Sequence, residues 1–344
     1  MPDQNPQNSF TSYRYAPGEH ALDRKGRPLP GYSLDGSSVY ERKRVRAAPW
    51  RLKEWDFYQI ADDTLCLQLV IGHVSYAGNC NIALFDHKNG KNLFERGVTI
   101  PFPCRSMHMP ESAHVDSLLT FEHGGASLAF ETRGGVRTLL ARFGEFSAKV
   151  LLTPTRKESV TLCTPFEQSN AFYYNEKVNL LHADVFARLR GEQIRFDPEN
   201  TFALLDWGRG VWPRAHEWYW SSANTLLESR LFGFNLGCGF GDETRMRATE
   251  NIVYYGNSFL KIGRVRFVTG NDPMQPWRIE SDDRSFSAVL TPRYDRDTVT
   301  KLLFVDNRCH QMFGTFSGRF HTREGVRVSF ENVTGFAEHA VNHW

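Results

Sequence analysis

Long apolar runs are missing from this 344-residue chain. No segment approaches the roughly 18 to 20 apolar residues of a membrane-spanning helix. The opening MPDQNPQNSF has no basic stretch followed by an apolar core, so no leader is read there and a cytoplasmic location is expected. Charge of one sign is lacking too: 41 Lys and Arg stand against 39 Asp and Glu, which argues against nucleic acid or an anionic membrane surface as partner. Cys66, Cys80, Cys104, Cys163, Cys238 and Cys309 are far apart and form no CxxC, so neither a zinc-finger spacing nor a compact disulfide scaffold is indicated, and buried free thiols are expected. A Gly-rich phosphate loop, HExxH, GxSxG and a dinucleotide fingerprint are all absent, which excludes the most easily read nucleotide, zinc and serine-hydrolase classes. No cofactor and no metal are therefore expected, and no pattern in the chain fixes an oligomeric state.

What the chain does have is period-two patterning. Leu65, Leu67, Leu69 and Ile71 alternate with other residues as a half-buried strand requires. In SLLTFEHGGASLAFETRGGVRTLLARFGEFSAKVLLTP, Gly124-Gly125 and Gly134-Gly135 separate short β-favouring runs, predicting a meander of about four strands. SFSAVLTP, KLLFVD, QMFGTFSGRF and VRVSFENV repeat the style near the end. No long stretch keeps a helical period, so the fold is predicted to be all-β, with two tandem antiparallel barrels or sandwiches. Residues 1–40, rich in Pro, Gly, Asn and Ser, read as an irregular arm. A polar, Pro-containing seam near 154–170 would divide an N-terminal β-domain (41–165) from a C-terminal one (166–344).

Aromatic residues concentrate in LLDWGRGVWPRAHEWYWSSAN, where Trp207, Trp212, Trp218 and Trp220 supply four of the chain's eight tryptophans. Pro213 disfavours a central strand, so the first half is expected to be a loop leading into a strand from about His216. Extended, Trp212, Arg214, His216, Trp218 and Trp220 would share a face. A core built only for stability favours aliphatic side chains, whereas Trp and His bring polar atoms that need partners, so a pocket wall competes with a plain core here. A third reading joins Asp206 to Arg209 as a buried salt bridge.

Other stretches pose similar choices. RLKEWDFYQI would put Lys53, Trp55 and Phe57 on one face and Glu54, Asp56 and Tyr58 on the other, with the carboxylates expected in solvent. Glu250 and Asn251 in TENIVYYGN, and His310 and Gln311 in NRCHQMFG, combine polar and aromatic residues in the same way. GFNLGCGFGD, residues 233–242, lies between β-like segments, so its glycines are expected to kink or bulge a strand rather than cradle a phosphate. His339 and His343 beside Glu338 could hold a metal only on a helix and instead read as the end of a terminal strand. His108, His114 and Cys104 form a weak cluster of the same kind.

LKEWDFY, FYYNEK, LLDWGRGVWP, EWYW, FNLG, TEN, HQMFG and GFAEHAVNHW, taken in order, resemble the bacterial domain-of-unknown-function 2804 family over nearly everything after residue 40. More distantly, FYYN, HADVFARLRGEQIRF, LLDWGRG, EWYW and FGFNLG resemble the tandem-lipocalin proteins that include carotenoid 1,2-hydratase and lipocalin-like cyclases. That resemblance implies an aromatic-lined pocket in or between two barrel-like domains, with cofactor-free hydration, isomerisation or cyclisation through protonation of a carbon-carbon double bond. The Asp-His-x-aromatic-Gly motif of those proteins aligns with Asp206 to Gly210, placing Trp207 at the His and Arg209 at the aromatic position. Trp218-Tyr219-Trp220 lacks the acidic residue of the hydratase-like strand.

The resulting expectation is a cofactor-independent isomerase, cyclase or hydratase for an apolar or glycosylated small molecule, with Asp206 and Glu250 as acids and His216 as proton partner. Trp55, Trp207, Arg209, Trp212, Trp218, Trp220, Asn235, Asn251, His310 and Gln311 would line the ligand site. The alternative is a carrier of a lipophilic molecule, which needs the aromatic wall but no titrating acid.

Overall fold

The computed structural model describes residues 12–102, 107–242, 245–302 and 305–343. It is built of two curled antiparallel sheets, a near-barrel and a half-barrel. The predicted meander forms as four strands, Ser117–His123, Ala126–Arg133, Val136–Phe143 and Phe146–Pro154. Its first two turns hold both of their glycines at positive φ (Gly124 59°, Gly125 83°; Gly134 55°, Gly135 84°), the conformation that a two-residue hairpin turn demands. Among the described residues no helix is long and apolar enough to cross a membrane.

The first sheet has 13 strands. At its centre Leu52–Ala61, Phe202–Val211 and Phe172–Leu189 lie side by side, flanked by Leu65–His73, Ala77–Asp86 and Lys91–Pro101 on one side and the meander on the other. One face is the inside of the curl: Tyr58 touches Phe130 at 5.0 Å between ring centroids, and Phe94 stacks on Phe146 at 5.1 Å, contacts that bridge strands distant in the sheet. The other face meets the second sheet, where Phe57 packs on Trp220 and Phe85 on Phe313.

The second sheet has nine strands, with Arg230–Cys238, Ala215–Leu227, Arg327–His343, Val305–His321 and Phe286–Leu302 at its centre. The chain passes from one sheet to the other between Val211 and Ala215. That is later than the polar seam at 154–170, where Val160–Pro165 is a wholly buried strand of the first sheet. Two parts of the tryptophan segment are corrected as well. Its first half is not a loop but the fully buried strand Phe202–Val211, and Pro213 confines the break to three residues.

The arm is less irregular than its composition suggested. Gly31–Ser33 pairs with Val160–Pro165, and Tyr15, Ala21, Leu22 and Leu34 are buried; residues 1–11 lie outside the described ones. A bulge between Val178 and Leu181 ties the two sheets together, since it frees Asn179 to donate to Ser222 Oγ (2.9 Å) and Asn224 Oδ1 (3.0 Å).

Candidate functional site

Strand alternation separates the candidate residues into two environments. Along Phe202–Val211, Trp207 and Arg209 point into the curl of the first sheet while Asp206 points at the second sheet. The proposed Asp206–Arg209 salt bridge is therefore impossible. Arg209, with no exposed surface, donates to Asp56 Oδ1 (2.9 Å) and to the carbonyls of Trp55 (2.7 Å), Gly208 (2.8 Å) and Pro110 (2.8 Å), and its guanidinium lies 4.0 Å from the Trp207 ring centroid. Glu54 and Asp56, expected in solvent, are buried around it, and burial raises the pKa of both. The charges could be taken out of water because Arg209 and, for Glu54, Arg42 (3.1 Å) compensate them. Trp207 and Arg209 are thus part of a closed interior, not of a ligand wall.

The outward face is different. Lys53, Trp55 and Phe57 share it, and across the ladder so do Gly210, Gly208 and Asp206, then Tyr173, Asn175 and Lys177. Gly208 is required where it stands, because a Cβ there would come within 2.0 Å of the Trp55 ring that lies across it. The opposing sheet contributes Trp218, Trp220, Asn307 and Glu338, and Trp212 and Phe240 close one side. Between them lies a cavity of about 460 Å3.

One end of this cavity is acidic. Lys177 Nζ sits 3.0 Å from Asp206 Oδ1, 3.9 Å from Glu250 Oε2 and 3.9 Å from the centroid of the Trp220 ring. Asp206 also accepts from the amide of Asn175. Glu338 accepts from Trp218 Nε1 (2.9 Å) at one oxygen and from Gln311 Nε2 (3.0 Å) at the other, and Gln68 donates to Gln311 Oε1 (2.6 Å) behind it. Burial raises the Glu338 pKa, with the Trp218 bond and Lys177 opposing and Asp206 reinforcing the shift. Glu250 is raised in the same way, chiefly by burial; Tyr173 Oη donates to its Oε2 (3.4 Å), and its Oε1 has no hydrogen-bond partner among the described residues. Glu250 stands behind Lys177 and Tyr173 rather than in the cavity wall.

The other candidates divide similarly. Trp55, Trp212, Trp218, Trp220 and Asp206 line the cavity, Asn235 supports it by accepting from Trp220 Nε1 (2.7 Å), and Gln311 supports Glu338. His216 does not reach the acids. It is packed among Trp212, Trp218, Phe166 and Phe240, where burial pulls its pKa down to about 4. Asn251 holds backbone together within the second sheet, accepting from Gly237 N and donating to the Gly263 carbonyl. His310 faces away from Gln311 and pairs with Asp295 at 2.8 Å. His339 and His343 do end a strand, His339 pairing with Glu217. His114 pairs with Glu176, and Cys104 lies outside the described residues.

Sequence reasoning missed Lys177, Tyr173 and Glu338. The first two stand at alternate positions with Asn175 in FYYNEK, a polar face on a strand that period-two counting would have shown. Glu338 was seen only as a neighbour of two histidines.

Two tandem curled antiparallel sheets meeting over an aromatic seam make this a lipocalin-like all-β protein. The chain belongs to the family described as Domain of unknown function (DUF2804), which it matches over residues 15–344. Three solved structures share the fold at low identity. CghA with Sch210972 is 11% identical at a TM-score of 0.57, covering 97% of this chain and 96% of that one. An AttH-like protein from Nitrosomonas europaea is 13% identical at 0.52, covering 89% and 97%. Kievitone hydratase from Nectria haematococca is 10% identical at 0.51, covering 97% and 98%. No curated protein matches the sequence.

Proposed function

We propose that the cavity between the sheets binds a small, largely apolar molecule and moves a proton on it without a cofactor, in an isomerisation, cyclisation or hydration. The observation that carries this reading is the meeting of Asp206 and Glu338 beside Lys177 at one end of an aromatic cavity. Glu338, raised by burial, is the acid: its O–H adds a proton to one carbon of a double bond and leaves a carbocation on the other. Asp206 is the base that takes a proton from the adjacent carbon, giving the isomer, or from the water or hydroxyl that attacks the cation. The proton gained by Asp206 balances the one lost by Glu338, and exchange with solvent resets the pair. Trp218 stabilises the developing cation, Trp220 already carrying the Lys177 ammonium on its ring, and Trp55 and Trp212 hold the apolar body. His216, once the expected proton partner, has no place in this scheme. The hydratase named among the structural relatives is in keeping with it, as a likeness of fold alone.

Carriage without turnover remains the second reading, favoured by the 3.0 Å Lys177–Asp206 pair, which already occupies one of the carboxylates. Native mass spectrometry after exposure to an extract of apolar metabolites separates the two. Catalysis gives a product, isomeric or heavier by one water, that is lost in Asp206→Asn and Glu338→Gln. A bound compound recovered unaltered from wild type and both variants would leave only carriage.

A further inference from the structure

We propose that the ligand of this cavity is an amphipathic acid whose anionic oxygens dock on Lys53 and on the indole N–H of Trp212, at the end opposite the carboxyl pair. The inference rests on the cavity reading above and adds the ligand's chemical class and its orientation.

Lys53 is in the cavity wall although only 4% of it is exposed. Its ammonium lies 4.7 Å from the centroid of the Tyr76 ring, and burial together with nearby Arg51 lowers its pKa to about 8. An ammonium held in a poorly solvated cavity wall favours an anion beside it. The Trp212 indole gives an independent reason. Trp212 is buried, its Nε1 has no hydrogen-bond partner among the described residues, and a buried donor left without an acceptor costs on the order of 1–3 kcal/mol. That nitrogen is placed beside Gly210, 2.8 Å from where a Cβ would stand, and Gly210 is the residue paired with Lys53 across the ladder. The wall at one end of the cavity therefore carries both an ammonium and an unused N–H, donors of the kind that a carboxylate or a phosphate oxygen accepts from.

Register fixes the length of the molecule. Lys53 pairs with Gly210 and Phe57 pairs with Asp206, so four residues of strand, roughly 13 Å, separate the cationic end from the acidic one. Trp55, Tyr173, Trp212, Trp218 and Phe240 fill the interval with aromatic surface. A molecule held by its acid group at Lys53 would bring an apolar tail, or a double bond within it, to Asp206 and Glu338. The opposite orientation would bring its anion against two carboxyls.

Dodecanoic acid, dodecyl phosphate and dodecanol, titrated by tryptophan fluorescence at pH 7, test this directly on the full chain. Wild type is expected to bind at least one of the two anions tenfold or more tightly than the alcohol, and the better anion tells whether carboxylate or phosphate fits. Lys53→Met should abolish that preference without weakening the alcohol, Lys53→Arg should retain it, and Trp212→Phe should reduce it severalfold. Alcohol binding at the wild-type affinity reports a folded protein with an intact cavity in each variant. Equal affinity for alcohol and anions, or a preference that survives Lys53→Met, would overturn the proposal. The same titration in Glu338→Gln should keep the preference. Its loss in Lys53→Met alone, with turnover independent of Glu338, would sink the catalytic reading and leave this one standing.

Discussion

The two faces of the strand Phe202–Val211 carry the same chemical types to opposite ends. On the inner face Arg209 is wholly buried and spends its donors on Asp56 and three carbonyls, with Trp207 against its plane. On the outer face Asp206 meets Lys177, but the cluster it belongs to borders a cavity, and one buried oxygen of Glu250 has no partner among the described residues. The inner network is closed in by packed side chains, with Trp207 Nε1 left without a partner among the described residues, whereas the outer one borders open space, and that is where a ligand can act.

If that contrast is right, the largest loss of stability belongs to the inner face. Arg209→Met, which leaves Asp56 buried without its cation and Glu54 with Arg42 alone, should cost about 3–5 kcal/mol in denaturant unfolding. Glu338→Gln should cost only about 1–2 kcal/mol by the same measurement, since its amide oxygen keeps one of the two donors held on opposite oxygens and loses the other, yet should reduce turnover by about 10²–10⁴-fold. Equal destabilisation by the two variants would erase the distinction. Next in size, Gly208→Ala should destabilise by about 1–3 kcal/mol and weaken binding of apolar ligands, because the added methyl displaces the Trp55 ring from the wall.

Smaller effects follow from pH. Burial lowers the His216 pKa to about 4, so between roughly pH 6.5 and 4 the unfolded chain takes up a proton that the native one does not. Stability should fall as pH drops through that window, and His216→Phe should flatten the fall. Glu250 and Glu338 act with the opposite sign: raised in the fold, they contribute stability at low pH that is lost as pH rises above the usual carboxyl value of roughly 4.3. Glu338→Gln should therefore reduce the loss as pH rises above that value, whereas His216→Phe should flatten the gain between roughly pH 4 and 6.5, so the two variants change a Tm profile with opposite sign. The smallest change is expected from Trp218→Phe, which keeps a ring but deletes the Nε1 donor to Glu338. By weakening the charged form it should move the Glu338 limb of a pH–rate profile upward by about one unit or less.

Much of the fold was legible because hairpins announce themselves locally: Gly124-Gly125 and Gly134-Gly135 gave the meander residue by residue. The aromatic wall was legible in the same way from Trp55, Trp212, Trp218 and Trp220. What local pattern does not contain is which distant strand lies alongside. The pairing of Asp206 with Lys177, and of Arg209 with Glu54, is a matter of register between strands some 30 to 150 residues apart. Without it Asp206 and Arg209, close in sequence, looked like partners although alternation sends them to opposite faces. Glu338 joined the site from a strand at the far end of the chain, and His216, surrounded by tryptophans in sequence and in space, was drawn toward chemistry that its packing denies it. The seam near 154–170 misled for a related reason. Its prolines and polar residues border Val160–Pro165, whose burial comes from Gly31–Ser33 on one side and Phe172–Leu189 on the other.

Solvent deuterium is the sharpest probe of the central claim. An extract of apolar metabolites is incubated in D2O with wild type and with Glu338→Gln, and the products are read by mass spectrometry after exchangeable hydrogens are washed back to protium. Protonation of carbon by Glu338 should leave a product that retains one deuterium in wild type and is missing in the variant. Retained deuterium that appears equally with both proteins, or a ligand recovered from wild type with none, would contradict it.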